Sequence, residues 1–144
     1  MPGLYIHIPF CKKKCRYCDF VSFGGSIDYT AYIAALISEI RTYKNLVSDR
    51  VFDTVFIGGG TPSILPHGTV TAMIAELRKN FTIRPNAEFT IEANPESLTP
   101  EKLEEYLIAG INRLSIGLQS ADNEVLRAIG RVHDRETFLK AFSE

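Results

Sequence analysis

The chain is organised around residues 10–20, FCKKKCRYCDF, which place all three of its cysteines within eight positions. Three thiols so close together in one loop indicate a shared task. The thiolate is the form of cysteine that binds metals, and the lysines and arginine of the same loop favour that form and offset negative charge. The loop therefore predicts a site for an anionic inorganic group.

Two kinds of metal site fit these cysteines, and the number of ligands distinguishes them. Structural zinc takes four ligands, whereas this loop supplies three at C-x3-C-x2-C spacing, so a zinc site needs a distant histidine. A four-iron cluster held by three cysteines leaves one iron open to an external ligand. A disulfide fits poorly, because the odd count leaves one thiol unpaired.

Composition limits the remaining possibilities. The 144 residues are 45% hydrophobic and 23% charged, which is typical of one globular unit with a real core. A net charge of -1 argues against a general nucleic-acid binder, since such domains usually carry a basic excess. No apolar run approaches the roughly 18 residues that a membrane span needs, and no signal segment is visible. We therefore expect a cytoplasmic protein without a membrane span.

Hydrophobic periodicity alternates between strand and helix along the chain. Strands are predicted at about residues 4–9, 51–57, 89–93 and 113–118, and helices at 29–46, 68–80, 100–109 and from Ser120 or Asp122 to Ile129, with another opening near Arg135. A glycine-rich turn is predicted over residues 22–26. The repeated strand-helix order predicts an α/β fold of parallel strands with outer helices.

Individual positions within these elements carry further expectations. In the first strand, Tyr5 and His7 alternate with aliphatic residues and are expected to point toward the cysteine loop. Thr99, Pro100 and Gly110 are the start and stop signals of the third helix. In the fourth helix, the side chains expected to face inward are those of Val125, Leu126 and Ile129.

The cysteine spacing, with Tyr17 before the last cysteine, resembles the signature of radical S-adenosylmethionine (radical SAM) enzymes. Three further stretches strengthen the resemblance: residues 4–10, LYIHIPF, residues 58–63, GGGTPS, and residues 112–120, NRLSIGLQS. Together they resemble the branch that contains oxygen-independent coproporphyrinogen III oxidase and the heme chaperone HemW. The resemblance extends from Leu4 to about Asp134.

The resemblance implies a partial (β/α) barrel. A complete eight-unit barrel takes about 250 residues, so this chain supplies about four units. Residues 1–144 are therefore expected to be the N-terminal portion of a radical SAM core domain, a fragment that lacks the later units and the downstream domain of the family. An uncovered sheet edge is expected at the last strand.

The resemblance also implies ligands and site residues. Cys11, Cys15 and Cys18 are the implied ligands of a 4Fe-4S cluster. The implied contacts to SAM are Tyr5, Tyr17, Gly59, Gly60, Thr61, Glu92, Gln119 and Arg131. A valine at Gly59 is expected to lower SAM affinity far more than stability, because its side chain would occupy the space where backbone meets ligand.

Several of these residues have a plainer structural interpretation. Glycines 58–60 could form only a tight turn, although their place after a strand favours ligand binding. Glu92 lies in an apolar strand and needs either a structural ion pair or a cationic ligand, because an unpaired buried charge is costly. Tyr5 could be a core aromatic, and Arg113 is expected to form a structural ion pair.

The sequence assigns no definite chemical role to any of the three histidines. His7 could transfer protons to a substrate or could simply be hydrogen-bonded, and the sequence favours neither interpretation. His67 and His133 fall in predicted loops, and no chemical role is expected for them.

The resemblance leaves open which activity is present. The oxidase has another cysteine two residues after the third, where this chain has Phe20, and this difference favours the chaperone type, which binds heme for delivery to respiratory proteins. The alternative is oxidative decarboxylation of coproporphyrinogen III to protoporphyrinogen IX. Implied partners are SAM, heme or a porphyrinogen, and an electron donor such as flavodoxin or ferredoxin. A third possibility, from a different functional class, is an interaction module whose fold is held together by a zinc ion.

Overall fold

The computed structural model describes residues 2–25, 28–47 and 51–144. Its strands are β1 (Gly3–Ile8), β2 (Val51–Gly59), β3 (Thr82–Ala93) and β4 (Arg113–Ile116). Its helices are α1 (Tyr29–Leu46), α2 (Thr69–Asn80), α3 (Pro100–Ala109), α4 (Asn123–Ala128) and α5 (Arg135–Ser143), with short 3-10 turns at Pro62–Ile64 and Pro95–Ser97. The predicted turn over residues 22–26 extends past the described residues at position 26. No helix in the described ranges is long and apolar enough to cross a membrane.

The four strands form one sheet in the order β1-β2-β3-β4, and every neighbouring pair is parallel. Parallel neighbours require crossover connections, which α1, α2 and α3 supply. The core includes Ile8, Ile57 and Ile91, one from each of three adjacent strands and all fully buried. The predicted α/β fold with parallel strands and outer helices is confirmed.

Local sequence signals set the ends of the helices. Asp28 accepts a hydrogen bond from the Ala31 N–H at 3.0 Å at the start of α1. Thr99 accepts one from Lys102 N–H at the start of α3, and Gly110 follows that helix with φ of 88°, in the left-handed region. Glycine adopts this conformation without the Cβ penalty, which is why the predicted stop falls there.

Strand β3 begins earlier than predicted, at Thr82 rather than Phe89. Its first residues pair with the start of β2 through Val51↔Thr82, and the register shifts before pairing resumes at Thr54↔Glu88. Pro85 lies inside this irregular part, where a missing N–H is tolerated. Pro85 argued against a strand here, but pairing with β2 stabilises the first part of β3.

The end of β4 and the packing of α4 also differ from the prediction. Strand β4 ends at Ile116 rather than at residue 118, and Gln119 has a φ of 67°, a left-handed conformation that is incompatible with an extended strand. In α4, Leu126 is buried but Val125 is 44% exposed, so the expectation that Val125 faces inward is wrong. Adjacent residues of a helix lie about 100° apart, and Leu126 occupies the inward position.

The carboxyl ends of all four strands meet at one edge of the sheet, as parallel strands require. The cysteine loop follows β1, the glycine run ends β2, Asn94 follows β3 and Gly117 follows β4. Ligands of open α/β folds bind at this edge. The fold therefore gathers the sequence motifs in one place.

An ion-pair cluster between α1 and α2 gives a pH-dependent contribution to stability. The Glu76 carboxylate is 2.8 Å from Arg41 Nε and accepts a hydrogen bond from Asn80 Nδ2 at 3.0 Å. The hydrogen bonds from Arg41 and Asn80 lower the pKa of Glu76 from 4.5 to about 2. The folded state thus binds the Glu76 proton more weakly than the unfolded state.

We expect Glu76→Gln to lower the free energy of unfolding at neutral pH. The pKa of Glu76 is depressed on folding, so its contribution is complete above pH 4.5 and is lost as the pH falls toward about 2. The difference between wild type and variant in urea unfolding should therefore shrink across this window. Glu104→Gln, at an exposed position of α3, is the control and should show no such trend. A wild-type-to-Glu76→Gln difference that stays constant from pH 6 to pH 2 would contradict the assignment.

Candidate functional site

The cysteine loop, residues 9–23, is closed at its neck by backbone hydrogen bonds. Phe23 N–H donates to Pro9 O at 2.7 Å, and Cys11 N–H donates to Phe23 O at 3.0 Å. Phe10 and Phe23 thereby form an isolated parallel bridge that continues β1 beyond its end. The first cysteine is held at a defined position directly after the strand.

Arg16 ties the middle of the cysteine loop to the end of α4. Its backbone N–H donates to Ile129 O at 3.0 Å and its Nη1 donates to Ala128 O at 3.1 Å. A helix leaves its last carbonyls without partners and carries partial negative charge there, so a cation is favourable at this position. Lys14 Nζ donates to Phe20 O at 3.3 Å within the loop.

The glycine run packs directly against the start of the cysteine loop. Gly60 N–H donates to Ile8 O at 2.8 Å. A Cβ on Gly60 would lie 2.6 Å from Phe10 O and 2.8 Å from Phe10 N, closer than real Cβ atoms approach. Only glycine lets the end of β2 lie this close to the residue before Cys11.

Gly59 has a second constraint, which changes one expectation. Its φ is 113°, and a Cβ there would lie 2.7 Å from the His7 ring. Valine at this position is therefore strained whatever ligand is present. Gly59→Val is therefore expected to cost stability as well as SAM affinity, because the residue is needed for the backbone conformation as well as for the cavity. That the loss of affinity is the larger of the two stays a prediction.

Ten of the predicted site residues line one open cavity of about 500 Å³ at the carboxyl edge of the sheet. This volume lies within the roughly 300–1,000 Å³ of small-molecule sites. The ten are Cys11, Cys15, Tyr17, Cys18, Gly59, Gly60, Thr61, Glu92, Gln119 and Arg131. Residues at or after the carboxyl ends of all four strands thus line the same cavity.

Glu92 presents its carboxylate to this cavity. Its Oε2 accepts a hydrogen bond from Gly59 N–H at 3.0 Å. Among residues 2–25, 28–47 and 51–144, no lysine, arginine or histidine forms an ion pair with it. The structural ion pair considered for Glu92 is thus not found in these ranges, and Arg113 pairs instead with Glu88 at 3.3 Å, as expected.

Two side chains donate hydrogen bonds to cysteine sulfurs at the cavity wall. Thr61 Oγ1 lies 3.6 Å from Cys11 Sγ, and Arg131 Nη1 lies 3.7 Å from Cys15 Sγ. Sulfur is a weak acceptor when protonated, and a thiolate accepts such bonds better because it is charged. This arrangement suits sulfurs that carry negative charge.

Tyr5 and His7 do not line the cavity. They lie on β1 beside it, where the Tyr5 hydroxyl is 2.9 Å from His7 Nδ1 and His7 Nε2 is 2.8 Å from Val21 O. A carbonyl can only accept, so Nε2 carries the proton and Nδ1 accepts from Tyr5. Both ring nitrogens of His7 are engaged, and the ring ties β1 to the end of the cysteine loop, on the side that the alternation predicts.

The two tyrosines near the site differ in their surroundings. Burial raises the pKa of Tyr5, and the charge on Glu92 raises it further. Burial also raises the pKa of Tyr17, where Arg131 opposes the shift and Cys15 adds to it. The Tyr17 side chain is more than half exposed and belongs to the cavity rim.

Sequence reasoning missed a buried pair behind the cavity. His133 is 4% exposed, its Nε2 lies 3.2 Å from Leu118 O, and its Nδ1 lies 3.4 Å from Glu96 Oε2. Burial lowers the pKa of His133, helped by Arg131 and opposed by Leu118 and Glu96. The pair joins the segment after α4 to the loop after β3, and no local signal could show a contact between residues so far apart in sequence.

The three thiols are free and half-buried. In the described part of the chain, no group of three histidine, cysteine or acidic side chains is close enough to hold a single metal ion. In an iron-sulfur cluster each cysteine binds a different iron, so the sulfurs need not converge on one point.

The fold and these motifs define a class of protein. A sequence description of the Radical SAM superfamily matches residues 5–144, and the chain belongs to this superfamily. The heme chaperone HemW of Buchnera aphidicola subsp. Schizaphis graminum is 40% identical over 99% of this chain. HemW of Escherichia coli K12 is 39% identical over 96% of it.

A solved structure of coproporphyrinogen III oxidase (HemN) from Escherichia coli, described as a radical SAM enzyme, has the same arrangement. It superposes with a TM-score of 0.89 and 33% identity over 98% of this chain. The partial barrel of the radical SAM type is thereby confirmed. The chain spans 38% and 37% of the length of the two HemW relatives and 33% of that HemN chain.

Proposed function

We propose that this protein binds a 4Fe-4S cluster through Cys11, Cys15 and Cys18 and binds SAM beside it. The observation that carries the proposal is the shared cavity: three free thiols and the carboxylate of Glu92, which has no cationic partner in the described ranges, face the same space of about 500 Å³. The superfamily implies both ligands. Residues 1–144 are proposed to belong to one radical SAM core domain.

The chemistry of the side chains fits this pair of ligands. Three thiolates can hold three irons and leave the fourth iron for an external ligand. Lys13 and Lys14 line the same cavity and offset the negative charge of a thiolate-bound cluster. When bound, the cluster supplies the electron that cleaves SAM, and the protein supplies orientation and exclusion of water.

The remaining wall is proposed to hold SAM. Glu92 offers a carboxylate to the cationic ligand, and Gly59 and Gly60 let the backbone approach it closely. Thr61, Gln119, Arg131 and Tyr17 complete the contacts around the cavity. Tyr5 is proposed to contact SAM from β1, beside the cavity. Burial raises the pKa of its hydroxyl, and the charge on Glu92 raises it further.

His7 is proposed to be a structural residue rather than a proton donor to substrate. Its Nδ1 accepts from Tyr5 and its Nε2 donates to Val21 O. A histidine with both nitrogens engaged inside the protein has none free for a substrate in this conformation. Its role is to hold the cysteine loop against β1.

For the whole protein we propose a heme-related role of the HemW type, in the cytoplasm, with an external electron donor. Two observations favour the chaperone over the oxidase. Phe20 occupies the position where the oxidase has a further cysteine, and its ring is 61% exposed beside the cavity. Identity is 40% to a HemW relative and 33% to the HemN structure.

We expect the full-length protein to bind heme and not to convert coproporphyrinogen III. The test is an anaerobic assay of the reconstituted protein with SAM, a reductant and coproporphyrinogen III, alongside a spectroscopic heme titration. Retained heme with no product formation supports the chaperone. Sustained formation of protoporphyrinogen IX over many turnovers would replace it with the oxidase.

A further inference from the structure

We propose that Asn94 is a positioning residue that directs two hydrogen bonds onto the cysteine sulfurs and so raises the reduction potential of the cluster that they hold. This inference rests on the proposed function, because it concerns the group bound at those sulfurs. It assigns a task to the residue that directly follows β3. The argument starts from the orientation of one side-chain amide.

The partners of Asn94 fix which way its amide faces. Arg131 Nη2 lies 2.7 Å from one amide atom, and a guanidinium can only donate, so that atom is the oxygen Oδ1. The amide nitrogen Nδ2 therefore faces Thr61 Oγ1, at 3.2 Å. One amide thus accepts from Arg131 and donates to Thr61.

The hydrogen bond from Asn94 orients the Thr61 hydroxyl. A hydroxyl has one proton to donate, and because Oγ1 accepts from Asn94 Nδ2 this proton is not directed at the amide. The proton is free to point at Cys11 Sγ, 3.6 Å away. Thr61 is only 4% exposed, so water does not compete well for it.

Asn94 fixes the Arg131 guanidinium in a similar way. Nη2 donates both to Asn94 Oδ1 and to Gly117 O, at 2.7 and 3.0 Å. These two acceptors set the plane of the guanidinium, and Nη1 then lies 3.7 Å from Cys15 Sγ. Of the hydrogen bonds found in the described ranges, none from a side chain reaches the sulfur of Cys18.

The Asn94 backbone is itself held firmly. Its N–H donates to Ser63 Oγ at 3.1 Å. Its carbonyl accepts from the Ser97 N–H at 3.0 Å and from the Ser97 hydroxyl at 2.9 Å. The side-chain amide therefore extends from a fixed backbone position and contacts both Thr61 and Arg131, the two residues that donate to the cysteine sulfurs.

The sign of the effect follows from electrostatics. Reduction adds negative charge to an iron-sulfur cluster, and part of that charge lies on the sulfurs. Hydrogen bonds to those sulfurs stabilise the reduced form and raise the potential, as is general for such clusters. Loss of the amide should release both donors and lower the potential.

The direct test is a redox titration of the reconstituted protein without SAM, followed by electron paramagnetic resonance. In Asn94→Ala we expect the equilibrium constant for cluster reduction to fall about tenfold, which is about 59 mV for a one-electron couple. Asn112→Ala is the matched control, because Asn112 also makes two side-chain hydrogen bonds, to Phe89 N–H and Ala87 O of β3. Asn112 directly precedes β4 and so lies at the opposite end of that strand from the cavity. The control should leave the potential unchanged.

Variants of Thr61 separate positioning from general destabilisation. Thr61→Val removes the hydroxyl at nearly constant volume and should also lower the potential, whereas Thr61→Ser should restore it. Asn94→Ala should have a smaller effect in the Thr61→Val background than alone, since part of its action passes through Thr61. Fully additive shifts would contradict the relay through Thr61.

The outcomes distinguish this inference from the proposed function. If wild type and Asn94→Ala bind the cluster with equal potentials, the inference is overturned and cluster binding stands. If wild type binds no cluster, the proposed function and the effect on potential are both overturned. The geometry is then tested in cluster-free protein, where the guanidinium protons of Arg131 should exchange slowly with Asn94 present and rapidly in Asn94→Ala. Equal exchange would overturn the positioning role as well.

Discussion

Cys15→Ala protein, reconstituted anaerobically with iron and sulfide, is expected to hold no stable four-iron cluster. Each of the three cysteines binds a different iron, and the chain has no fourth cysteine to substitute for a lost one. The Arg131 guanidinium that approaches the Cys15 sulfur at 3.7 Å would also face an empty position. Iron and sulfide content with the visible absorption spectrum is the measurement, and Cys11→Ala and Cys18→Ala should behave alike.

Asp19→Asn is the matched control for the cysteine variants. Asp19 is exposed, follows Cys18 directly and does not line the cavity. It should retain the brown colour and the iron of wild type. Full iron and sulfide in Cys15→Ala would refute the assignment of Cys15 as a ligand, and a colourless wild type with one bound zinc would favour the interaction module.

Much of the fold could be predicted because its signals are local. The cap at Thr99 and the stop at Gly110 need only their own neighbours in sequence, and both lie where predicted. The first half of β3 was missed because its strand pairing joins residues about thirty apart, as in Val51↔Thr82, and Pro85 argued against it. Position-by-position patterns contain no information on such pairing.

The candidate site divides in the same way. The cysteine motif and the glycine run can be recognised from residue type and spacing alone. Residues of both line the same cavity. Asn94 and the His133 pair carry no such signal, because their meaning depends on Arg131, Thr61 and Glu96 reaching them across the fold. A polar residue directly after a strand of a parallel sheet lies at the edge where such folds bind ligands, but this position alone does not identify the partners of Asn94.

Gly60→Ala is expected to lower the free energy of unfolding by about 1–3 kcal/mol, the usual cost of forcing an extra carbon into a packed region. The added Cβ would lie 2.6 Å from Phe10 O and 2.9 Å from Phe10 C. These are backbone atoms, so no side-chain rotation relieves the clash. One of the two segments must move.

The Phe10 backbone can move only together with the first cysteine. The Phe10 ring packs edge-on against Tyr32 at 4.8 Å and Tyr29 at 5.3 Å, and Cys11 N–H is bonded to Phe23 O. A shift that accommodates the new methyl group therefore displaces Cys11 relative to the other two thiols. We expect Gly60→Ala to lose iron on reconstitution as well as stability in urea.

Gly24→Ala is the control for Gly60→Ala, because it adds the same methyl group on the other side of the cysteine loop. Its nearest neighbour would be Cys11 O at 3.6 Å, an ordinary contact, and its backbone is not in the left-handed region. Its effect should stay within about 0.5 kcal/mol. Equal stability and equal iron content in Gly60→Ala and Gly24→Ala would show that the close approach of β2 to Phe10 does not fix the position of Cys11. Loss confined to Gly60→Ala would show that this approach, made possible by a missing Cβ, holds the metal-binding loop in register with the sheet.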